Sequence, residues 1–302
     1  MREPGGRGVS PRQTAAEARP AVILVGTPIG NLGDISPRAV EALTDADVIA
    51  AEDTRRTRPM LTALGIPGRG RLVSFHGPHE AELAAKLVAR IVERGERLVC
   101  VTDAGMPGIS DPGERLVTAA LAAGVAVEVV PGPSAALAAL VVSGLPTARF
   151  VFEGFLPRKG RQRAARLAEL KTEERTVVLF EAPHRLEATL ADLAEALGPD
   201  RPLAVAREIT KRFETVWRGT LGQLSGSEEG PEARGEQVIV LGPAPPAQSA
   251  EPDDEEIESA LRTELAAGAS TRDAAAVVAN RLGVTRRRAY ALANSLRGSA
   301  RP

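Results

Sequence analysis

The chain has 302 residues, 43% hydrophobic and 25% charged, with a formal net charge of -1. That length suits two or three domains, that balance is the balance of a folded globular protein, and a near-zero charge leaves any grip on a polyanion to local patches. The single cysteine, Cys100, excludes an intramolecular disulfide and a cysteine-based metal site, which suits a reducing cytoplasm, and no apolar run is long enough to span a bilayer.

Residues 1–20 carry Arg, Gly and Pro without an apolar signal-peptide core and read as a disordered tail. AVILVGTPIGN (Ala21 to Asn31) is a strand running into a Gly/Pro turn. SPRAVEALTDA follows as a helix, with Ser36 as N-cap and Pro37 in its first turn. DVIAAEDT is a second strand, ending at Glu52 and Asp53, and RLVSFH (Arg71 to His76) a third. HEAELAAKLVARIVERG has helical spacing and closes at Gly95. RLVCV (Arg97 to Val101) is a fourth strand, ERLVTAALAAG a helix, and AVEVVPGPSA carries a fifth strand. This alternation predicts an α/β domain over 21–133 with a mostly parallel sheet.

The pattern restarts after VSGLPT. RFVFEGF, TVVLFEA, LAVAREIT, ETVWRGT and EQVIVLG read as strands, with helices over RQRAARLAELKTE and RLEATLADLAEALG. Fewer crossovers predict a mixed sheet, in a second α/β domain over 134–243. A Pro/Ala-rich linker follows at 244–254, and residues 255–298 read as a small helical tail resembling a helix-turn-helix.

The most informative stretch is TDAGMPGISDPG, residues 102–113. It sits at the carboxyl end of a strand, where open α/β sheets bind ligands. Its glycines and prolines let backbone approach a ligand and hold that shape, and Asp103 and Asp111 add acceptors. GTPIGN (Gly26 to Asn31) resembles a nucleotide loop but lacks both GxGxxG and a P-loop lysine. PGPSA places Ser134 at a helix N-cap, where free amides can hold a ligand.

Taken in order, TPIGNLGDIS, AAEDTRRTR, DAGMPGISDP, PGPSA, SGLPTARFVFEGFLPRK, FEAPHR and AREITKRFE resemble the tetrapyrrole-methylase superfamily, most closely its ribosomal RNA small-subunit branch. The resemblance covers about Val22 to Gly242. It implies a two-domain α/β fold, homodimerisation, and S-adenosylmethionine bound between the domains. The implied activity is 2'-O-methylation of a decoding-centre cytidine in the 16S rRNA of the small ribosomal subunit, in the cytoplasm. It places the cofactor at Thr27 and Pro28, at Asp103, Ala104, Gly105, Ile109 and Ser110, at Ser134 and Ala135, and under Phe180. The chain departs from the family pattern at SFHGPHE, where Gly77 and Pro78 replace polar residues, and at Met106, where the family carries threonine.

Methyl transfer to a hydroxyl needs alignment and a base or a charge for the developing alkoxide, and it requires no metal. Base candidates at strand ends are Glu52, Asp53, Asp111 and Glu181; Asp53 is preferred and Glu52 is second, because AAEDTRRTR sets these acids beside arginines. His184 reads as structural. RNA contact is expected at Arg55 and Arg56, at the acid-free cluster Arg158, Lys159, Arg161, Arg163 and Arg166, and at Arg286, Arg287 and Arg288 in the tail. Two other readings share these residues: methylation of a small tetrapyrrole, which has no use for the basic clusters, and a non-catalytic RNA-binding assembly factor, against which the intact loops argue.

Overall fold

Five short runs of Val, Ile, Leu and Ala build one sheet. They are β1 (Ala21–Val25), β2 (Val48–Ala51), β3 (Leu72–Ser74), β4 (Arg97–Val101) and β5 (Ala126–Val130), in the order β3-β2-β4-β1-β5. This is a computed structural model, and it describes residues 20–224, 235–245 and 252–298. Every ladder in this sheet is parallel. Parallel sheets are covered on both faces, so the central strands β1, β2 and β4 are largely apolar, and their two-residue period decides which core each side chain enters. Ile23, Val25, Ile49, Ala51, Val99 and Val101 enter one core. Val22, Val48, Ala50, Leu98 and Cys100 enter the other. Helices α1 (Pro37–Asp45) and α2 (Thr54–Ala63) cover the first with Leu43 and Leu61. Helices α3 (Glu80–Arg94) and α4 (Glu114–Ala122) cover the second with Val88, Ile91 and Leu116.

The ends of these helices follow local chemistry. The Ser36 hydroxyl accepts from the Ala39 N–H at the start of α1, and α3 ends at Gly95 in the left-handed region, φ 67°. Helix α2 goes unread in the sequence because TRRTRPMLTA is mostly polar and contains Pro59. It forms in spite of Pro59, because Asp53 caps it and Thr57 and Leu61 face inward at helical spacing.

The second sheet holds β6 (Phe150–Phe155), β7 (Thr176–Glu181), β8 (Pro202–Arg207), β9 (Thr215–Thr220) and β10 (Gln237–Leu241), ordered β6-β7-β10-β8-β9. It is mixed: β6 runs parallel to β7, and the other pairs are antiparallel. One face is covered by α6 (Gly160–Lys171) and α7 (Leu186–Leu197), through Leu170, Leu186, Leu190 and Leu193. The other is covered by α5 (Ala135–Val142), whose Ala136, Ala139 and Leu140 pack on Val178, Ala204, Val238 and Val240. Helix α5 therefore leaves the first sheet's last strand and serves the second sheet. A short helix, α8 (Leu221–Leu224), follows β9. The strand read through Thr210 stops at Arg207, because Glu208 (φ 52°) and Thr210 (φ 66°) turn the chain out of extended geometry.

The chain divides into one compact unit running to Ala244 and a second from Pro245. The second unit contains α9 (Asp254–Ala266), α10 (Thr271–Leu282) and α11 (Arg286–Gly298), packed around Ile257, Leu261, Val278 and Ala289. Helix α9 starts at Asp254, the last residue of the expected linker, because the Asp253 carboxylate accepts from the Glu256 N–H. The expected tail over 1–19 and the linker residues 246–251 lie outside the described residues.

Two glycines set how closely the loops of the first sheet can pack. A Cβ on Gly26 would lie 2.6 Å from the Gly132 Cα and 2.7 Å from the Met106 sulfur. Backbone cannot yield there, so Gly26→Ala is expected to cost about 1–3 kcal/mol of stability, as overpacking does, read as a lowered urea midpoint at unchanged slope.

Candidate active site

At the carboxyl ends of the parallel strands the backbone forms a clasp. Thr27 and Gly105 exchange both backbone hydrogen bonds, at 2.9 and 3.2 Å, in an isolated antiparallel bridge. The buried Thr27 hydroxyl donates to the Thr102 carbonyl at 3.1 Å. Gly105 reaches this position at φ 83°, which favours glycine. Farther along the loop, Gly108 N–H donates to the Pro112 carbonyl, and Gly113 N–H donates to the Glu80 carboxylate, both at 3.0 Å. Ser110 is held at φ 63°, a position non-glycine residues rarely adopt. Backbone hydrogen bonds thus tie the loop down at Gly105, Gly108 and Gly113.

The loop walls one side of a cavity of about 310 Å³. Ala104, Gly105, Met106, Ile109, Ser110 and Asp111 face it from the loop, Ile29 from the turn after β1, and Ser134 and Ala135 from the start of α5. The second sheet supplies Phe155 at the end of β6, Phe180 and Glu181 at the end of β7, and Gln237 and Val238 at the start of β10. The Phe180 ring meets Phe152 and Phe155 edge-on, with centroids 5.0 and 5.7 Å apart. A bulge at Gly154 (φ 68°) brings β6 against the loop: a Cβ there would sit 3.2 Å from the Ser110 Oγ. Ser134 caps α5, its hydroxyl accepting from the Leu137 N–H at 3.4 Å.

Of the residues expected at a cofactor, Ala104, Gly105, Ile109, Ser110, Ser134, Ala135 and Phe180 are together on this wall. Thr27, Pro28 and Asp103 are not on it. Thr27 works behind the wall in the clasp. Asp103 joins a second clasp between strand ends: its carboxylate accepts from the Asp53 N–H at 3.2 Å, and its own N–H donates to Glu52 at 3.1 Å. Sequence reasoning assigned no role here to Phe155, Gln237 or Val238. Phe155 stood at a predicted strand end, where it could have been found. The two β10 residues carry no local mark, because only antiparallel pairing brings their end of the strand to the cavity.

The acids differ sharply in their surroundings. The Arg55 guanidinium bonds the Asp53 carboxylate at 2.6 Å, and with the Arg55 N–H it holds that carboxyl down at about 2. The Asp53 carboxylate, expected as the preferred base, is thus engaged by Arg55 and serves as the cap of α2. Glu52 is engaged with the Asp103 backbone. Asp103 is shifted upward by burial, against the pull of Arg56, which lies 3.4 Å away. Asp111 is pushed up to about 7, by burial first and then by the neighbouring carboxylates of Glu52 and Asp103.

The basic residues also separate. Arg158, Lys159 and Arg161 are exposed at the start of α6, with no ion partner among the described residues. Arg163 is a correction: it is only 8% exposed and commits its guanidinium to Asp192, the Pro157 carbonyl and the Thr189 hydroxyl. Arg166 is bound to Glu153 and Glu169. Two residues along a helix is more than half a turn, so Arg161 and Arg163 leave on different faces, and sequence proximity hid that difference. Arg55 and Arg56 are exposed but paired with Asp53 and Asp103. In the second unit Arg286 and Arg287 are exposed, and Arg288 is paired with Asp254. His184 is exposed in a short 3-10 turn beside Arg185.

A clasped loop at the carboxyl edge of a parallel sheet, closed over by a mixed sheet, is the architecture of a methylase fold. The chain belongs to the tetrapyrrole (corrin/porphyrin) methylases, whose family model matches residues 21–225. Within curated proteins it is 44% identical over 273 residues to the ribosomal RNA small subunit methyltransferase I of a Synechocystis species, spanning 90% of this chain and 97% of the relative. It is 46% identical over 270 residues to the protein of the same name from Mycobacterium tuberculosis, spanning 89% and 93%. Among solved structures it resembles the uroporphyrin-III C-methyltransferase of Thermus thermophilus complexed with S-adenyl homocysteine, at 25% identity and a TM-score of 0.51 over 74% of this chain and 97% of that one.

The burial of Arg163 yields a test of the corrected assignment. Arg163→Ala removes the guanidinium bonds to Asp192, Thr189 and the Pro157 carbonyl and is expected to lower unfolding free energy by about 1–3 kcal/mol, measured by urea denaturation. Arg161→Ala, on the exposed side of the same helix, is expected to change it by less than about 0.5 kcal/mol.

Proposed function

We propose that the cavity binds S-adenosylmethionine and that the chain methylates the 2'-hydroxyl of a decoding-centre cytidine in the 16S rRNA of the small ribosomal subunit. The observation that carries this reading is the single wall made by the 102–113 loop, the Ser134 turn and the aromatic end of the second sheet, with an exposed basic cluster starting just after Phe155. The names of the curated relatives and the S-adenyl homocysteine in the uroporphyrin enzyme point the same way.

The residues present suit the cofactor. A volume of about 310 Å³ falls within the range of small-molecule sites, roughly 300–1,000 Å³. Phe155, Phe180, Ile29 and Ile109 offer flat and apolar surface, while the Ala104–Ser110 backbone and Ser134 offer polar groups. When bound, the cofactor supplies a methyl carbon made electrophilic by its sulfonium. The loop's contribution is to hold donor and acceptor aligned, and its clasps give it the rigidity this needs. Arg158, Lys159 and Arg161 hold RNA phosphates near the cavity, with Arg55 and Arg56 adding positive charge at the strand ends. Arg286 and Arg287 offer a second phosphate anchor in the helical unit. Tyr290 is its one aromatic residue, too little for base readout by stacking.

The partner of α5 in this reading is a second copy of the chain. AALAALVV is apolar on every side; one face packs on the second sheet, while Leu137 and Val141 are 51% and 73% exposed. Val129, on edge strand β5, is 52% exposed. Covering such a face by self-association removes apolar surface from water. Among the described residues no helix is long and apolar enough to cross a membrane, and we place the protein in the cytoplasm with its ribosomal substrate.

Three outcomes test these points. Small subunits lacking the modification, incubated with labelled S-adenosylmethionine and the protein, are expected to yield 2'-O-methylcytidine on digestion and mass spectrometry; label in no RNA nucleoside would overturn the reading. Replacing Arg158, Lys159 and Arg161 together by alanine is expected to raise KM with little change in kcat. It should also flatten the logarithmic salt dependence of RNA binding by about 2, from roughly 0.7 for each phosphate no longer neutralised. Val141→Asp is expected to shift the sedimenting species from dimer to monomer.

A further inference from the structure

A ribose 2'-hydroxyl is a weak nucleophile, and its proton has to leave as the new carbon–oxygen bond forms. Three carboxylates line the cavity: Asp111, Glu181 and Glu236. Two of them are already engaged. Glu181, only 3% exposed, accepts from the Thr189 hydroxyl at 2.6 Å and from the Ala182 N–H at 2.8 Å, and it pairs with Arg185 at 3.2 Å. Glu236 pairs with Lys211 at 3.1 Å. Asp111 has no hydrogen-bond donor and no cation on its carboxylate among the described residues. Beyond the wall, Asp53 is held by Arg55, Glu52 by the Asp103 N–H, and Asp103 by Arg56 and the Asp53 N–H.

We propose that Asp111 is the general base of the transfer. Its carboxylate takes the proton of the attacking 2'-hydroxyl as that oxygen bonds to the methyl carbon, and the carbon–sulfur bond breaks with its electron pair staying on sulfur. This assignment rests on the methyl-transfer reading above. The backbone keeps Asp111 in place from both sides, through Gly108 to Pro112 and through Gly113 to Glu80. Asp111 faces the carboxylates of Glu52 and Asp103, the latter partly offset by Arg56. Lying at about 7, it is matched to proton acceptance near neutral pH, where a general base works best.

Burial of this carboxyl also makes stability depend on pH. A carboxyl raised in the folded state above its unfolded value, about 3.9, stabilises the protein fully below that pH. The contribution is lost as pH rises through about 7. The loss belongs to the unliganded protein and needs no turnover to be seen.

The experiment compares wild type, Asp111→Asn and Asp53→Asn on the same small subunits, with calorimetric S-adenosylhomocysteine binding and melting temperature followed from pH 4 to 8. The wild-type kcat is expected to rise with pH through an ascending limb. In Asp111→Asn, kcat is expected to fall by about 100-fold or more, as for loss of a general base, with the limb removed and ligand affinity within about threefold. The same variant should lose part of the wild-type fall in melting temperature between pH 4 and 7, while Asp53→Asn keeps the limb. Active wild type with an undiminished Asp111→Asn, or a limb that vanishes only in Asp53→Asn, overturns the assignment and leaves the methyl-transfer reading standing. Wild type that transfers no methyl group to RNA removes both.

Discussion

The backbone bridge between Thr27 and Gly105 joins two loops that follow non-neighbouring stretches of chain, and the rest of the site hangs from it. It forms because β1 and β4 are adjacent in the sheet, so their following loops leave the same edge side by side. The bridge needs one close approach that a side chain would block, at Gly26 against Gly132, and a left-handed backbone at Gly105. Once it forms, the 102–113 loop has one route, with Ile109, Ser110 and Asp111 turned toward the cavity and Asp103 toward the ends of β2. A loop built this way holds its shape before a ligand arrives, so less conformational freedom remains to be lost on binding.

The same edge explains why the acids take different parts. Asp53, Glu52, Asp103 and Asp111 stand within one electrostatic neighbourhood, yet hydrogen bonds and ion pairs distribute unevenly among them. Asp53 and Asp103 act in the backbone clasp and as a helix cap. Asp111 is left with burial and like charge, and both push its carboxyl upward. The second sheet completes the cavity without supplying a free acid, since Glu181 and Glu236 are engaged by Thr189, Arg185 and Lys211.

Much of this was legible in the chain. Apolar runs with capped helices between them are strong local signals, and the parallel first sheet and mixed second sheet follow from their order. TDAGMPGISDPG announced itself by composition and place. The choice among acids was not legible, because AAEDTRRTR shows charges side by side without showing which arginine meets which carboxylate. The basic run after FLP misled in the same way. Arg161 and Arg163 are two residues apart, and the helix turns one outward and the other into the core. Gln237 and Val238 had no local mark because their role depends on the direction in which β10 pairs.

The amino-acid sequence by itself determined the elements, their order, the loop at the sheet edge and the family resemblance, because these rest on periodicity, caps and motifs that act over a few residues. Only the tertiary structure decided which side chains share the cavity, which acid is left unpaired and which arginines reach solvent. Those outcomes depend on contacts between residues far apart in the chain, such as Thr27 with Gly105 and Arg163 with Asp192. Burial and dielectric environment, which set the behaviour of Asp111, exist only once both sheets have closed around it.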